Sequence, residues 1–378
     1  MPDRADARIL VVGGGIAGFA MARACAQRGI AVRVVDRATG PPDARLGLNL
    51  PGNAIRALRD IGVSEGLAAV AEPVRRREYR TPDDRLIFEV DEVAFWGEAD
   101  CPRCVRRGDL LALLGADLDP TRSEWGVRVT GCRVTDDDVE VELGTEHPAR
   151  FDFVVGADGV RSQVRTSVFG DVDLRSSLLS ATSWRFVTSN PGCDCWCVWS
   201  GPAGTLLLIP LTDGQVYGYA SATGRTPAGG DPDWLRTTFA AYPDLARQAV
   251  DSAVAEPEGL YHSPVDEVRL ARWHRGPVVL IGDAAHATAP IWAQGAALAV
   301  EDALVLAELL ASHADWTVVG AEFERRRRGR VEHVQAMTDR LSRAASLPGW
   351  LRDRLLPFVG PRTYRETYGA LKSPVLGV

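Results

Sequence analysis

The sequence predicts an α/β protein: a doubly wound parallel sheet, an interleaved β-rich unit, and helices at the C-terminus. Three observations predict it. Residues 8–36 read as apolar strand, glycine-rich turn, small-residue helix and second apolar strand, the order of a βαβ unit. Two further apolar runs, 153–159 and 277–283, each end in glycine and aspartate. Between them, residues 180–222 alternate short β-patterned runs with turn residues. A chain of 378 residues, 46% hydrophobic, has room for about two such units.

The elements follow in order. Residues 8–12 are a buried strand, closed by the glycines at 13, 14, 15 and 18. A helix over 16–28 follows, with Gly29 as its C-cap. Residues 31–36 are the second strand. A β-like stretch at 76–93 joins the β-rich unit. Strands at 182–188, 195–200, 205–210 and 215–222 form a meander, with turns at 201–204 and 212–214. The strand 277–283 feeds an alanine- and leucine-rich helix at 295–311. Helical patterns return from Asp315, and the basic run 324–330 is expected to be a solvated helix face.

Composition excludes several functions. The net charge of −7 disfavours nucleic acid as a partner. No apolar run reaches the roughly 20 residues of a membrane span, and the charged residues 1–8 do not open a secretory signal. Seven cysteines cannot all pair within one chain. With no signal peptide, a reducing cytoplasm is the expected compartment. Cys101 and Cys104 form a CxxC, and Cys193, Cys195 and Cys197 alternate. Alternation places the latter three on one strand face as small buried residues, so no metal site is assigned.

Gly13-x-Gly15-x-x-Gly18 lies between a strand and a helix, the context in which the pattern signals a dinucleotide. Gly13 allows the tight turn, Gly15 the approach of a pyrophosphate, and Gly18 close packing of helix on sheet. The helix N-terminus favours the phosphate charge. Asp36 ends the second strand at the spacing of an acid that holds ribose hydroxyls, with Arg37 beside it. A carboxylate there would repel the extra phosphate of NADP, which leaves FAD or NAD.

Four later segments separate these two. Residues 156–165, GADGVRSQVR, resemble the DG motif of para-hydroxybenzoate hydroxylase-like FAD monooxygenases, and residues 282–290, GDAAHATAP, resemble their GD motif. Residues 47–54 with Leu58 and Gly62, and Arg107 with Leu110 and Leu114, fit the family's order. The resemblance spans about residues 10–330. It implies a Rossmann-type FAD-binding domain at 1–75, 102–172 and 270–378, and a β-sheet substrate domain at 76–101 and 173–269. It implies FAD as cofactor and NADH or NADPH as transient reductant. Dioxygen would then hydroxylate an aromatic or conjugated small molecule through a flavin hydroperoxide. Asp283 is expected at the ribityl chain near the pyrophosphate, Arg107 on the same chain, and Gly282 in the turn. Asp158 and Arg161 are expected in the motif that handles both FAD and NAD(P)H. Pro290 is expected beside the flavin ring. Gly295, Ala296 and Ala297 would present a helix N-terminus to the pyrimidine edge, where reduced flavin carries charge.

The chain departs from this pattern in two places: Ala293 stands where the family has glycine, and Ala297 where it has asparagine. If that glycine needs positive φ, Ala293 implies a different local backbone. Candidates for chemistry are Arg185, Tyr219, His286 and Trp292, none with an assigned role. His286 reads better as an orderer of its turn than as a base. Arg185 and Tyr219 lie on meander strands, of which one face roofs the substrate; the sequence does not say which. A halogenase would need an active-site lysine, but Lys372, in the C-terminal tail, is the chain's one lysine. A Baeyer–Villiger enzyme would need a second GxGxxG. A same-fold epoxidase, oxidase or reductase remains the alternative enzyme, and a FAD-stabilised binding protein the alternative without catalysis.

Overall fold

The computed structural model describes residues 8–40, 46–145, 147–178, 180–222, 229–345 and 349–376. The charged N-terminal stretch 1–7 lies outside the described residues.

The chain opens with β1 (Ile9–Val12), α1 (Ile16–Ala26) and β2 (Val32–Asp36). Then come β3 (Gly47–Leu50), α2 (Gly52–Asp60), β4 (Arg76–Arg80), β5 (Leu86–Asp91), α3 (Glu92–Trp96), β6 (Arg103–Arg106), α4 (Arg107–Gly115) and β7 (Ser123–Trp125). The middle holds β8 (Phe153–Gly156), α5 (Gln163–Phe169), β9 (Thr182–Ser189), β10 (Trp196–Ser200), β11 (Gly204–Pro210) and β12 (Gln215–Ala222). After α6 (Asp233–Phe239), α7 (Asp244–Ala255) and β13 (Tyr261–Pro264) come β14 (His274–Arg275) and β15 (Val278–Leu280). The helices α8 (Gly295–Ser312), α9 (Val319–Ala345) and α10 (Gly349–Gly369) close the chain.

One sheet has the order β14-β15-β8-β1-β2-β7. All its neighbours run parallel except β14 and β15. The four residues of β1 are all buried, as a central parallel strand covered on both faces must be. The predicted βαβ start and both downstream strands are here, although the last is shorter than 277–283 because Gly282 turns the chain at φ +57°. Small residues let α1 and α8 close over this turn: a Cβ on Gly282 would sit 3.1 Å from Cβ of Ala17 and 3.3 Å from that of Ala299.

A second, seven-stranded sheet has the order β13-β9-β12-β11-β10-β4-β5. The meander and the 76–93 stretch join it as expected, and a short helix, α3, takes the end of that stretch. Its two faces differ. Trp184, Phe186, Leu206, Leu208, Cys197 and Trp199 pack with Leu235, Phe239 and Val250 of α6 and α7. The opposite face presents Arg185, Val187, Tyr217, Tyr219, Leu207 and Trp196, as the cross-strand register requires.

The basic run 324–330 is a solvated face only in part. Arg327 is 1% exposed, with Nη2 2.9 Å from Glu301 and Nε 2.7 Å from Asp302 of α8. Arg330 pairs with Glu301 at 2.7 Å, and Arg328 covers the Trp273 ring. Arg325, at 71%, is exposed, as are Arg326 and Gly329. The run alternates faces on a helix lying against α8, so two of its arginines meet buried acids.

Candidate active site

The glycine-rich turn follows directly from β1. Gly13 adopts φ +114°, and its N–H donates to the Val35 carbonyl at 2.8 Å. A Cβ on Gly13 would lie 2.3 Å from the Ala157 oxygen, and one on Gly18 1.8 Å from the Gly13 oxygen. Gly15 differs: no atom would lie within 4 Å of its Cβ. Two glycines are therefore forced by packing, and the third leaves open space at the start of α1, a cradle that a side chain would fill. Asp36 lies beside it. Its carboxylate accepts from Gly14 N at 2.6 Å and Ala38 N at 2.8 Å, so it braces the turn. Arg37 is exposed. Trp125, which the sequence reading passed over, would lie 3.0 Å from a Cβ on Gly14 and stands near Phe19. The strand that carries it is too short to show a period.

The two aspartates of the later motifs do different work. Asp158 accepts from Ser162 Oγ, Gln163 N and Val164 N, and so holds the start of α5. Burial raises its pKa above the ordinary carboxylate value against these hydrogen bonds. Asp283 is exposed at the start of the short helix Asp283–His286, and its Oδ1 lies 3.9 Å from where a Gly295 Cβ would be. This brings the GD turn against the N-terminus of α8. Arg165 ties the two motifs together by donating to the carbonyls of Ala284 at 3.0 Å and Val160 at 2.6 Å. Arg107 begins α4, its N–H on the Leu46 carbonyl. Arg161 is exposed.

His286 is buried, and Nε2 lies 2.7 Å from Asp302 Oδ2, the atom that also accepts from Gly282 N at 2.9 Å. It orders the GD turn from within the core and does not face the cleft as a base. Burial pushes the Asp302 pKa up, but His286 and Arg327 outweigh it and hold the carboxyl below its ordinary value.

Pro290 and Trp292 form one 3-10 turn, after which Ala293 takes φ +52°. The alanine thus takes the left-handed conformation that a glycine would adopt readily, so the expected departure from positive φ does not occur. Trp292 packs edge-on against Tyr368 of α10, whose hydroxyl donates to the Trp292 carbonyl at 2.8 Å. Gln294 and Asn53 exchange amide hydrogen bonds of 3.0 and 3.1 Å, pinning the loop to α2. Gly295 and Ala296 are half-buried and Ala297 is buried at the start of α8.

This loop meets the second sheet. Ala293 packs on the cluster of Val74, Cys104, Trp196, Val198, Ile209 and Tyr217, which Tyr219 also joins. Arg185 and Tyr219 are cross-strand partners on the same face. Burial raises the Tyr217 pKa to about 12 and the Tyr219 pKa more modestly, with Arg185 acting against it in both. The face of Arg185 and Tyr219 is therefore the one turned to the loop. Lys372, by contrast, donates to the Phe95 carbonyl at 2.6 Å. The cysteine clusters are free thiols and buried. Cys195 and Cys197 lie near Glu78, but that carboxylate is paired with Arg76 and Arg80.

Comparison with known proteins agrees with this geometry. The family model described as FAD binding domain matches residues 6–340. The 2-heptyl-3-hydroxy-4(1H)-quinolone synthase of Pseudomonas aeruginosa is 30% identical over 96% of this chain and 97% of its own. The 3-amino-4-hydroxybenzoate 2-monooxygenase of Streptomyces cremeus is 31% identical over 81% of this chain and 79% of its own. The crystal structure of Klebsiella pneumoniae HpxO complexed with FAD and uric acid superposes with a TM-score of 0.87 at 21% identity, covering 99% of both chains. A parallel sheet with an open glycine cradle, a GD turn set against a helix N-terminus, and relatives of this length and identity place the chain in the FAD-binding-domain family, among the FAD-dependent monooxygenases.

Proposed function

We propose that this monooxygenase hydroxylates an aromatic or conjugated small molecule held between the face of Arg185 and Tyr219 and the loop 290–295. One observation carries the reading: Ala293, of the loop after the GD turn, shares an apolar cluster with Trp196 and Tyr217 of the second sheet. That contact brings the loop and the apolar face together, and a flat apolar ligand would lie against both. By name, the relatives above make a hydroxyquinolone and oxygenate an aminohydroxybenzoate, which supports a ring substrate.

In this reading FAD lies along Gly13, Gly15, Gly18, Asp36, Arg107 and Asp283, with its ring near Pro290, Gly295 and Ala296. Bound FAD supplies the redox chemistry, with NADH or NADPH as reductant and dioxygen as oxidant. The chain's own groups bind and orient. The open amides after Gly15 and the start of α1 hold phosphate charge. The N-terminus of α8 stabilises negative charge at the ring. The apolar cluster excludes water. Two interleaved units follow, 1–75, 102–172 and 270–378 for FAD, and 76–101 and 173–269 for substrate. The seven free, buried cysteines support a cytoplasmic location, and among the described residues no helix is long and apolar enough to cross a membrane.

The test is direct. Purified protein binds FAD, and an aromatic screen finds compounds that stimulate NADH or NADPH oxidation and gain one oxygen by mass spectrometry. Protein that ignores FAD overturns the reading. Stimulated oxidation with no oxygen gained would favour the same-fold oxidase or reductase.

A further inference from the structure

Asn49 is the third residue of β3 and is 7% exposed. Neither its Nδ2 nor its Oδ1 has a hydrogen-bond partner. A buried primary amide with both ends unpaired is a standing cost, and native proteins rarely keep one without a use.

Its direction is set by the strand. Side chains two apart on a strand share a face, so Asn49 points the way Gly47 does. A Cβ on Gly47 would meet the Tyr217 ring at 2.4 Å. Directly across the antiparallel ladder from Asn49 is Cys104, which belongs to the cluster of Trp196, Ile209, Tyr217 and Ala293. The amide therefore faces the apolar cluster between β3 and the second sheet. Trp196 Nε1, in the same cluster, is likewise buried without a partner.

A primary amide offers one acceptor and one donor side by side in a plane. A ligand that satisfies both must present the reverse pair on adjacent atoms, an N–H for Oδ1 and a C=O for Nδ2. In a flat ring that pair is a lactam. A carboxylate offers no donor to Oδ1, and a plain phenol offers one group where two are needed.

We propose that Asn49 is the polar anchor of the substrate and that the substrate is an uncharged heteroaromatic lactam. The proposal rests on the hydroxylase reading and narrows its substrate. A ring so held lies flat against Tyr217 with its lactam edge toward β3. A site built around such a pair rejects analogues that leave its polar atoms unpaired.

The experiment uses the FAD-loaded protein and three probes: 2-quinolinone, N-methyl-2-quinolinone, which lacks the donor, and 2-naphthol, which lacks the pair. Binding is read from the perturbed flavin absorbance, and turnover from stimulated NAD(P)H oxidation. The expected result is 2-quinolinone binding at least tenfold tighter than either analogue. Asn49→Leu and Asn49→Asp should erase this preference while FAD content stays unchanged, and Asn49→Leu should raise the melting temperature of the FAD-free protein by removing the unpaired amide. Equal binding of the three probes overturns the proposal, and if any of them stimulates oxidation and gains one oxygen by mass spectrometry the hydroxylase reading stands. Loss of FAD from both variants overturns it too, by assigning the amide to the flavin. Failure of the wild-type protein to bind FAD sinks the parent reading instead.

Discussion

Single residues separate the packing role of the glycine turn from its binding role. Alanine at Gly18 would place a Cβ 1.8 Å from the Gly13 oxygen, so Gly18→Ala is expected to cost about 1–3 kcal/mol or more of stability in the FAD-free protein. Gly15 has φ −89° and open space. Gly15→Ala should leave the FAD-free melting temperature unchanged and weaken FAD binding by roughly tenfold or more, since the methyl occupies the approach of the pyrophosphate. Thermal melts with and without FAD check both; equal destabilisation by the two variants would contradict the assignment. The glycine turn and the place of Asp36 beside it were legible because the motif's spacing encodes their geometry. The conformation of Ala293 was not, because an alanine at φ +52° is a strain that the surroundings impose against its preference. Ala293→Gly relieves that strain. Differential scanning fluorimetry should show a gain of at most about 1 kcal/mol, reduced by the glycine's greater freedom when unfolded.

At the level of elements, α8 shows why some of the site was hidden. Its sequence reads as an apolar helix, yet Glu301 and Asp302 lie in its buried middle, matched by Arg327 and Arg330 of α9. The match is between two helices, and periodicity within one cannot reveal it. The same holds for the two sheet faces: alternation shows that Arg185 and Trp184 point opposite ways, but only the packing of α6 and α7 decides which way is in. Strands β1, β2, β8 and the meander were legible from their apolar runs and turns. Asp302 carries a testable consequence. It braces Gly282 N, His286 and Arg327 at once, so Asp302→Ala leaves Gly282 N and His286 without this acceptor and Arg327 with Glu301 as its remaining acid, and should cost about 3–5 kcal/mol in urea denaturation. Its pKa is held below the ordinary 3.8, so its stabilisation is complete above that pH and is lost as pH falls through the folded-state value. The stability of Asp302→Asn should therefore fall less steeply than wild type on the acid side. Urea midpoints measured from about pH 6 down to about pH 3 decide this, and parallel acid limbs would refute it.

Across the whole molecule, α10 connects the two sheets. Arg77 of β4 lies 3.5 Å from the Trp196 ring and pairs at 2.8 Å with Glu92 of α3, both side chains at most 1% exposed. Tyr364 of α10 donates to the same Glu92, and Tyr368 one turn on donates to the Trp292 carbonyl in the loop after the GD turn. The seven-stranded sheet, the C-terminal helix and the loop after the GD turn thus share one chain of buried contacts. Breaking any link leaves a charge or carbonyl unpaired in the interior, which favours a single cooperative transition over independent melting. FAD, bound only to the folded state, should then stabilise the whole by about 2.7 kcal/mol at a hundredfold excess over its Kd, a rise of roughly 3 °C for a protein of this size. Tyrosine fluorescence and near-UV circular dichroism should move together along that one shifted curve. Asp283→Ala, which removes an exposed carboxylate beside the start of α8, should leave the FAD-free curve in place and shrink the shift. Two separate transitions, with FAD moving one alone, would show that α10 does not couple the sheets.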